Sequence, residues 1–136
     1  MDCDALAGST VLLVEDEPLI GMMIEASLLD AGAEVLWASN QSRAYELITL
    51  HVGRIHVLVT DIYLGEGPSG LDVAEFARGV NAAIPVIYMS GCPPESLPSL
   101  ENEDTRFLMK PFIESNLLSI ARTLIERGGS ARALDR

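Results

Sequence analysis

The sequence predicts a single α/β domain, built as a doubly wound, five-stranded parallel sheet with helices on both faces. Short continuous apolar runs, which are typical of strands buried on both faces, recur along the chain. Segments with the 3.6-residue spacing of amphipathic helices separate most of these runs, and this alternation favours right-handed crossovers between parallel strands. A chain of 136 residues, 49% of them hydrophobic, can bury a core without metal or disulfide cross-links.

Each predicted strand is a short, mainly apolar run. The runs lie at residues 10–14, 34–38, 55–60, 85–89 and 106–109. The third run ends abruptly in a carboxylate, Asp61. Because the sequence contains no internal repeat or linker, we expect one domain over residues 1–136. Its core spans about 10–126, between a polar leader at 1–8 and a loose tail at 128–136.

Helices are predicted from apolar residues at helical spacing. The first begins at Pro18, which suits a first helical position, and ends before Gly32. Ser39 or Asn40 can cap the second, which ends near Gly53. The apolar positions are Ile20, Met23, Ile24, Leu28 and Ala31 in the first helix, Ala44, Leu47 and Ile48 in the second, Val73, Phe76, Ala77 and Val80 in the third, and Leu117, Ile120, Ala121, Leu124 and Ile125 in the last.

Glycine and proline residues limit helix formation in the last part of the chain. Gly128 and Gly129 are expected to end the last helix. Between the fourth and fifth strands the alternation calls for another helix, but Pro93, Pro94 and Pro98 disfavour one of full length.

Composition and charge exclude several classes of function. The formal net charge of -11 disfavours binding to nucleic-acid phosphates or to anionic membrane surfaces. No apolar run approaches the roughly 18 residues of a membrane span, and the N-terminus has no basic signal region. Cys3 and Cys92 lack metal-binding spacing, so we expect reduced thiols and no structural disulfide. These features predict a cytoplasmic protein.

Chemically active residues stand at the ends of four predicted strands. Glu15 and Asp16 follow the first strand, Asp61 the third, Ser90 the fourth and Lys110 the fifth. Ligands of open α/β sheets bind beyond the carboxyl ends of the strands. Three clustered carboxylates repel one another and require a cation, and their hard oxygen donors suit Mg²⁺. A carboxylate can also act as a nucleophile and form an aspartyl phosphate, whose oxygens a lysine and a hydroxyl can hold.

The chain resembles the receiver domain of two-component response regulators over about residues 10–126. Four motifs carry the resemblance: LLVEDEP, VLVTDIYL, IPVIYMSG and FLMKPF. It implies the flavodoxin-like fold, with strand order 2-1-3-4-5. It also implies that Asp61 accepts a phosphoryl group from a histidine kinase or a phosphotransfer protein. Mg²⁺ would be held by Glu15, Asp16, Asp61 and the backbone carbonyl of Tyr63.

The same resemblance implies roles for residues at the fourth and fifth strands. Ser90 would bond the new phosphoryl group and Lys110 would pair with it. The peptide bond from Lys110 to Pro111 would be cis, and Phe107 would occupy an aromatic switch position. Tyr63 and Cys92 would lie where the family tunes the lifetime of the phosphoryl group.

The resulting expectation is a stand-alone, Mg²⁺-dependent phosphorylation switch that signals to a protein partner or relays its phosphoryl group to a histidine. It would be a regulatory phosphoacceptor that promotes its own phosphorylation and dephosphorylation. Two enzymatic alternatives are weaker. Gly65, Gly67 and Gly70 spell the GxGxxG pattern of dinucleotide-binding enzymes, but the motif follows the third strand and stands beside Asp61. A phosphatase with an aspartyl-phosphate intermediate would be expected to carry a second aspartate where Tyr63 stands.

Overall fold

The five strands form one parallel sheet in the order β2-β1-β3-β4-β5. The structure, a computed structural model, describes residues 4–65, 69–92 and 102–134. The strands are β1 (Thr10–Val14), β2 (Glu34–Ala38), β3 (Val57–Asp61), β4 (Val86–Ser90) and β5 (Thr105–Met109). The predicted fold class and strand order are confirmed, and the predicted strand bounds lie within two residues of these.

Four helices lie within the described residues: α1 (Pro18–Asp30), α2 (Gln41–Leu50), α3 (Ser69–Val80) and α4 (Glu114–Leu134). Asn40 caps α2, because its side chain accepts a hydrogen bond from the Arg43 amide at 2.8 Å. Whether a helix joins β4 to β5 lies outside the described residues, as do the three prolines of that segment.

The predicted end of the last helix is wrong, because α4 continues through Gly128 and Gly129 to Leu134. Residues 130–134 are therefore helical and not part of a loose tail. A glycine inside a helix costs only about 1 kcal/mol relative to alanine. Gly128 does not adopt the positive φ of a helix cap, and the residues after it include good helix formers.

Two hydrophobic clusters cover the two faces of the sheet. Alternate strand residues such as Leu12 and Leu58 pack with α2 and α3, whereas Val11 and Val59 pack with α1 and α4. Every residue of β3 and β4 is buried. Because both faces are covered, the carboxyl ends of the strands are where this sheet presents functional side chains to solvent.

Three residues predicted on buried helix faces are exposed instead. Met23 is 61% exposed, Val80 40% and Phe76 36%, although the Phe76 ring still contacts Tyr45 at a centroid distance of 4.4 Å. In α1 the apolar residues surround much of the helix, so their spacing does not define one face.

Candidate functional site

All five residues predicted from the strand ends lie around one cavity. Glu15 and Asp16 follow β1 and Lys110 follows β5, while Asp61 and Ser90 are the last residues of β3 and β4. The two strands therefore run one residue further than predicted, which fixes both side chains in the sheet register. The cavity has a volume of about 280 Å³, and its other lining residues are Glu17, Ile20, Tyr63, Met89 and Gly91.

An acidic cluster forms the centre of this site. One carboxylate oxygen from each of Glu15, Asp16 and Asp61 lies within 4.8 Å of the others. Glu15 and Asp61 are buried, whereas Asp16 is exposed. The Lys110 Nζ atom lies 2.6 Å from Glu15 Oε1 and 2.6 Å from Asp61 Oδ1. One ammonium group therefore stands between two buried carboxylates.

The electrostatic balance places a proton on Asp61. Burial and the neighbouring Glu15 carboxylate raise the pKa of Asp61 to about 8, although Lys110 acts in the opposite direction. Burial also acts to raise the pKa of Glu15, but hydrogen bonds with Asp61 and Lys110 outweigh it and hold that pKa below its ordinary value. Burial would lower the pKa of Lys110, but both carboxylates together raise it. Lys110 thus stays charged and Glu15 ionised, while the Asp61 carboxyl group keeps its proton at neutral pH.

The glycine-rich loop and the start of α3 position the acidic side chains. Asp16 Oδ2 accepts a hydrogen bond from the Gly65 amide at 3.1 Å, and Gly65 has a φ of +67°, which favours glycine. A Cβ atom on Gly70 would lie 1.7 Å from the Asp61 carbonyl oxygen. Gly67 lies outside the described residues. Two of the three glycines in the GxGxxG pattern are thus explained by contacts with aspartates, without a dinucleotide.

Ser90 lies in the cavity, but its hydroxyl group is bonded within its own loop. The Ser90 Oγ donates to the Cys92 carbonyl and accepts from the Cys92 amide, each at 3.0 Å. Cys92 itself is a free, exposed cysteine. The Tyr63 side chain is also exposed at the cavity rim.

The family resemblance assigns roles to two further residues, Phe107 in β5 and Pro111 just after it. The peptide bond from Lys110 to Pro111 is cis, as the family resemblance implies. Phe107 is half-buried against the cluster beneath α2 and α3, in register with Tyr88 of β4. Its role as a switch stays a prediction.

Comparison with known proteins identifies the family. A model of the response regulator receiver domain matches residues 11–122. The chain belongs to the response regulator receiver domain family. The transcriptional regulatory protein CusR of Escherichia coli K12 is 30% identical to this receiver domain over 122 residues, covering 88% of this chain and 52% of CusR. The phyllosphere-induced regulator PhyR of Methylorubrum extorquens is 29% identical over 123 residues, covering 90% of this chain and 45% of PhyR.

Solved structures of receiver domains agree with this membership. The response regulator receiver protein of Sinorhizobium medicae has a TM-score of 0.81 and 31% identity, covering 90% of this chain and 98% of that chain. The receiver domain described here spans about half the length of the curated relatives named above. No described helix combines the length and the apolar character needed to cross a bilayer. The cytoplasmic location stays a prediction.

The donor set of this receiver domain fits a hard divalent cation. All three acidic side chains offer oxygen atoms, and the exposure of Asp16 leaves one side of the cluster open to solvent. Asp61 Oδ1 is buried next to the Lys110 ammonium, but among the described residues no hydrogen-bond donor is aligned on it. This oxygen atom therefore retains a lone pair that a cation can accept.

Sequence reasoning missed the residues that hold the cluster in place. Gly65 and Gly70 formed part of a competing motif; Gly65 contacts Asp16 from a distant part of the chain, and Gly70 contacts Asp61 from a different secondary-structure element. Trp37, whose indole N–H donates to the Glu15 carbonyl at 3.0 Å, and Gly21, where a Cβ atom would lie 2.1 Å from the indole ring, gave no functional signal either, although a glycine inside a helical pattern marks a possible close contact.

Proposed function

We propose that this receiver domain is a Mg²⁺-dependent signalling switch in which Asp61 accepts a phosphoryl group from a phosphohistidine. The observation that carries the proposal is the placement of Asp61: a buried carboxylate at the end of β3, between Glu15 and Lys110, facing an open cavity. Glu15, Asp16, Asp61 and the carbonyl group of Tyr63 would hold Mg²⁺. Once bound, the cation would neutralise the carboxylates and the phosphoryl oxygens.

The chemical step is a displacement at phosphorus. A carboxylate oxygen of ionised Asp61 attacks the phosphorus atom, the bond to the histidine nitrogen breaks, and its electron pair stays on the imidazole. Lys110 stabilises the negative charge on the phosphoryl oxygens. Lys110 pairs with Glu15 and Asp61, so pairing with the phosphoryl group requires the ammonium to change partners.

Ser90 would convert phosphorylation into a change in the neighbouring loop. Its hydroxyl bonds both backbone groups of Cys92, so donation to a phosphoryl oxygen breaks the bond to the Cys92 carbonyl. Cys92 then shifts relative to the end of β4. The output is a protein contact, through which the domain binds a target or passes the phosphoryl group to another histidine.

An apolar groove beside the acceptor cavity supports a protein donor. The groove lies between α1 and the start of α4, has a volume of about 370 Å³, and shares Ile20 and Lys110 with the acceptor cavity. Leu19 is 76% exposed and Ile113 68% in the same part of the fold. A donor protein that packs on this apolar surface would bring its phosphohistidine close to Asp61.

The test is incubation with Mg²⁺ and either acetyl phosphate or a phosphorylated histidine kinase, followed by intact-mass measurement. Wild type is expected to gain a hydroxylamine-labile phosphoryl adduct, and Asp61→Asn is not. An adduct absent from wild type, with an active kinase, would refute the acceptor role. An equal adduct on Asp61→Asn would place the acceptor elsewhere.

A further inference from the structure

Trp37, the chain's single tryptophan, holds the backbone from which two residues of the acidic cluster extend. It lies on β2 in register with Leu13 of β1. Its indole Nε1–H donates to the backbone carbonyl of Glu15 at 3.0 Å. The amide of Glu15 donates to the Ala38 carbonyl, also at 3.0 Å. Both backbone groups of Glu15 are therefore bonded to β2 just beyond the end of β1.

Gly21 makes room for the indole under α1. A Cβ atom at Gly21 would lie 2.1 Å from Trp37 Cζ2 and 2.6 Å from Cε2. Any other residue here would displace either the helix or the ring. A glycine inside a helix costs about 1 kcal/mol relative to alanine. At position 21 this loss of helix stability accompanies the space that the indole ring occupies. The ring is thus confined between α1 and the segment after β1.

The bonded carbonyl also controls Asp16. The carbonyl of Glu15 and the amide of Asp16 belong to one planar peptide group, so a bond that orients the first also orients the second. Asp16 is exposed, and the contact that the structure gives its carboxylate is with the Gly65 amide. The peptide plane therefore sets the position of the Asp16 Cα atom, from which the side chain extends to the Gly65 amide.

We infer that Trp37 is a positioning residue of the acidic cluster: its N–H group orients the Glu15–Asp16 peptide so that both carboxylates face Asp61 before a cation arrives. The inference rests on the proposed function, since the cation is the Mg²⁺ proposed above. Groups already held in their binding geometry lose less freedom when the ligand binds. Loss of the indole donor should weaken Mg²⁺ binding about three- to tenfold, the contribution of one neutral hydrogen bond.

A single-atom replacement tests the inference. β-(3-benzothienyl)alanine at position 37 replaces the indole N–H with sulfur and keeps the bicyclic shape, while 5-fluorotryptophan keeps the N–H and is the matched control. Calorimetric titration should show a Mg²⁺ dissociation constant raised about three- to tenfold for the sulfur analogue only. The rate of phosphorylation by acetyl phosphate should return to the control rate at saturating Mg²⁺. Trp37→Phe, which also lacks the donor, should show the same rise.

An unchanged dissociation constant in the sulfur analogue would overturn the inference, even if the analogue unfolds at a lower urea concentration. A second measurement needs no metal. In EDTA, hydrogen exchange at the Glu15 amide, which donates to the Ala38 carbonyl at 3.0 Å, should be faster in the sulfur analogue than in the fluorinated control, because loss of the indole donor loosens this segment. Equal exchange in both would also overturn the positioning role. Failure of the fluorinated control to bind Mg²⁺ would instead refute the metal site of the proposed function, and the exchange measurement would still decide the role of Trp37.

Discussion

Gly70 is the residue at which α3 touches the acceptor strand, and Gly70→Ala tests that contact directly. The added Cβ would lie 1.7 Å from the Asp61 carbonyl oxygen, 2.7 Å from the Asp61 carbonyl carbon and 2.9 Å from Ile62 Cα. All three are backbone atoms, which cannot move aside as a flexible side chain can. The Gly70 amide also donates to the Ile62 carbonyl at 2.8 Å. Relief of the clash must therefore separate α3 from the end of β3.

The expected loss of stability follows from these contacts. Overpacking of a close-fitting site costs about 1–3 kcal/mol, and the weakened backbone hydrogen bond adds about 1 kcal/mol. We therefore expect Gly70→Ala to lower the free energy of unfolding by about 2–4 kcal/mol. The same helix offers a control, since a Cβ on Gly79 would have no atom within 4 Å. Gly79→Ala should be stabilising by about 0.4–1 kcal/mol.

Urea denaturation of both variants measures the difference, with the slope of the transition checked to be unchanged. Because the clash falls on the acceptor residue, Gly70→Ala should also slow phosphorylation by acetyl phosphate about ten- to a hundredfold, the cost of displacing a reacting group by about 1 Å. Gly79→Ala should react at the wild-type rate. Equal stabilities for the two variants would show that α3 does not press on Asp61 and that the predicted clash is absent.

Three further predictions follow from the charges and the exposed surface of the site. In EDTA, the free energy of unfolding of wild type should fall as pH rises from about 4 to 8, because the folded state keeps a proton on Asp61 that the unfolded chain loses. Urea denaturation at a series of pH values measures this dependence, which should be weaker in Asp61→Asn. At pH 7 that variant should be about 1–4 kcal/mol more stable than wild type. Mg²⁺ affinity, measured by calorimetry, should rise with pH up to about 8, by at most tenfold per pH unit, because binding displaces that proton; an affinity independent of pH would contradict the protonated state. Leu19→Glu, which places a charge on the proposed donor-binding surface, should slow phosphorylation by a histidine kinase about tenfold and leave the rate of phosphorylation by acetyl phosphate unchanged. Leu50→Glu, at a residue 61% exposed on α2, should change neither of these two rates.

The strands and the site were predictable for the same physical reason. A strand buried on both faces must be apolar along its whole length, so β3 and β4 are visible as continuous runs. Parallel connections then bring the carboxyl ends of the strands to one edge of the sheet. The residues that interrupt the apolar runs at that edge, among them Asp61 and Lys110, must meet there.

The remaining features depend on neighbours that the local sequence does not reveal. The apolar residues of α1 do not define a single face, and only packing decides that Leu28 is buried while Met23 is 61% exposed. The extension of α4 through Gly128 reflects the small cost of a glycine inside a helix where no capping geometry forms. The contacts of Gly70 with Asp61 and of Gly21 with Trp37 join residues from different elements. A glycine in the sequence indicates a possible close contact but not the partner.

The charges of the acidic cluster explain why cation binding and proton loss should be linked. The cluster contains three carboxylates and one ammonium group, that of Lys110, which pairs with Glu15 and Asp61, so two negative charges are left without compensation. A proton on Asp61 removes one of these charges, and the raised pKa of Asp61 is the expression of that balance. Glu15, Asp16 and Asp61 would hold a divalent cation, whose two positive charges would compensate both; Asp61 would then lose its proton, and its ionised carboxylate could attack phosphorus. In the proposed switch, burial raises the pKa of Asp61, so ionisation of Asp61 to a nucleophilic carboxylate would depend on cation binding.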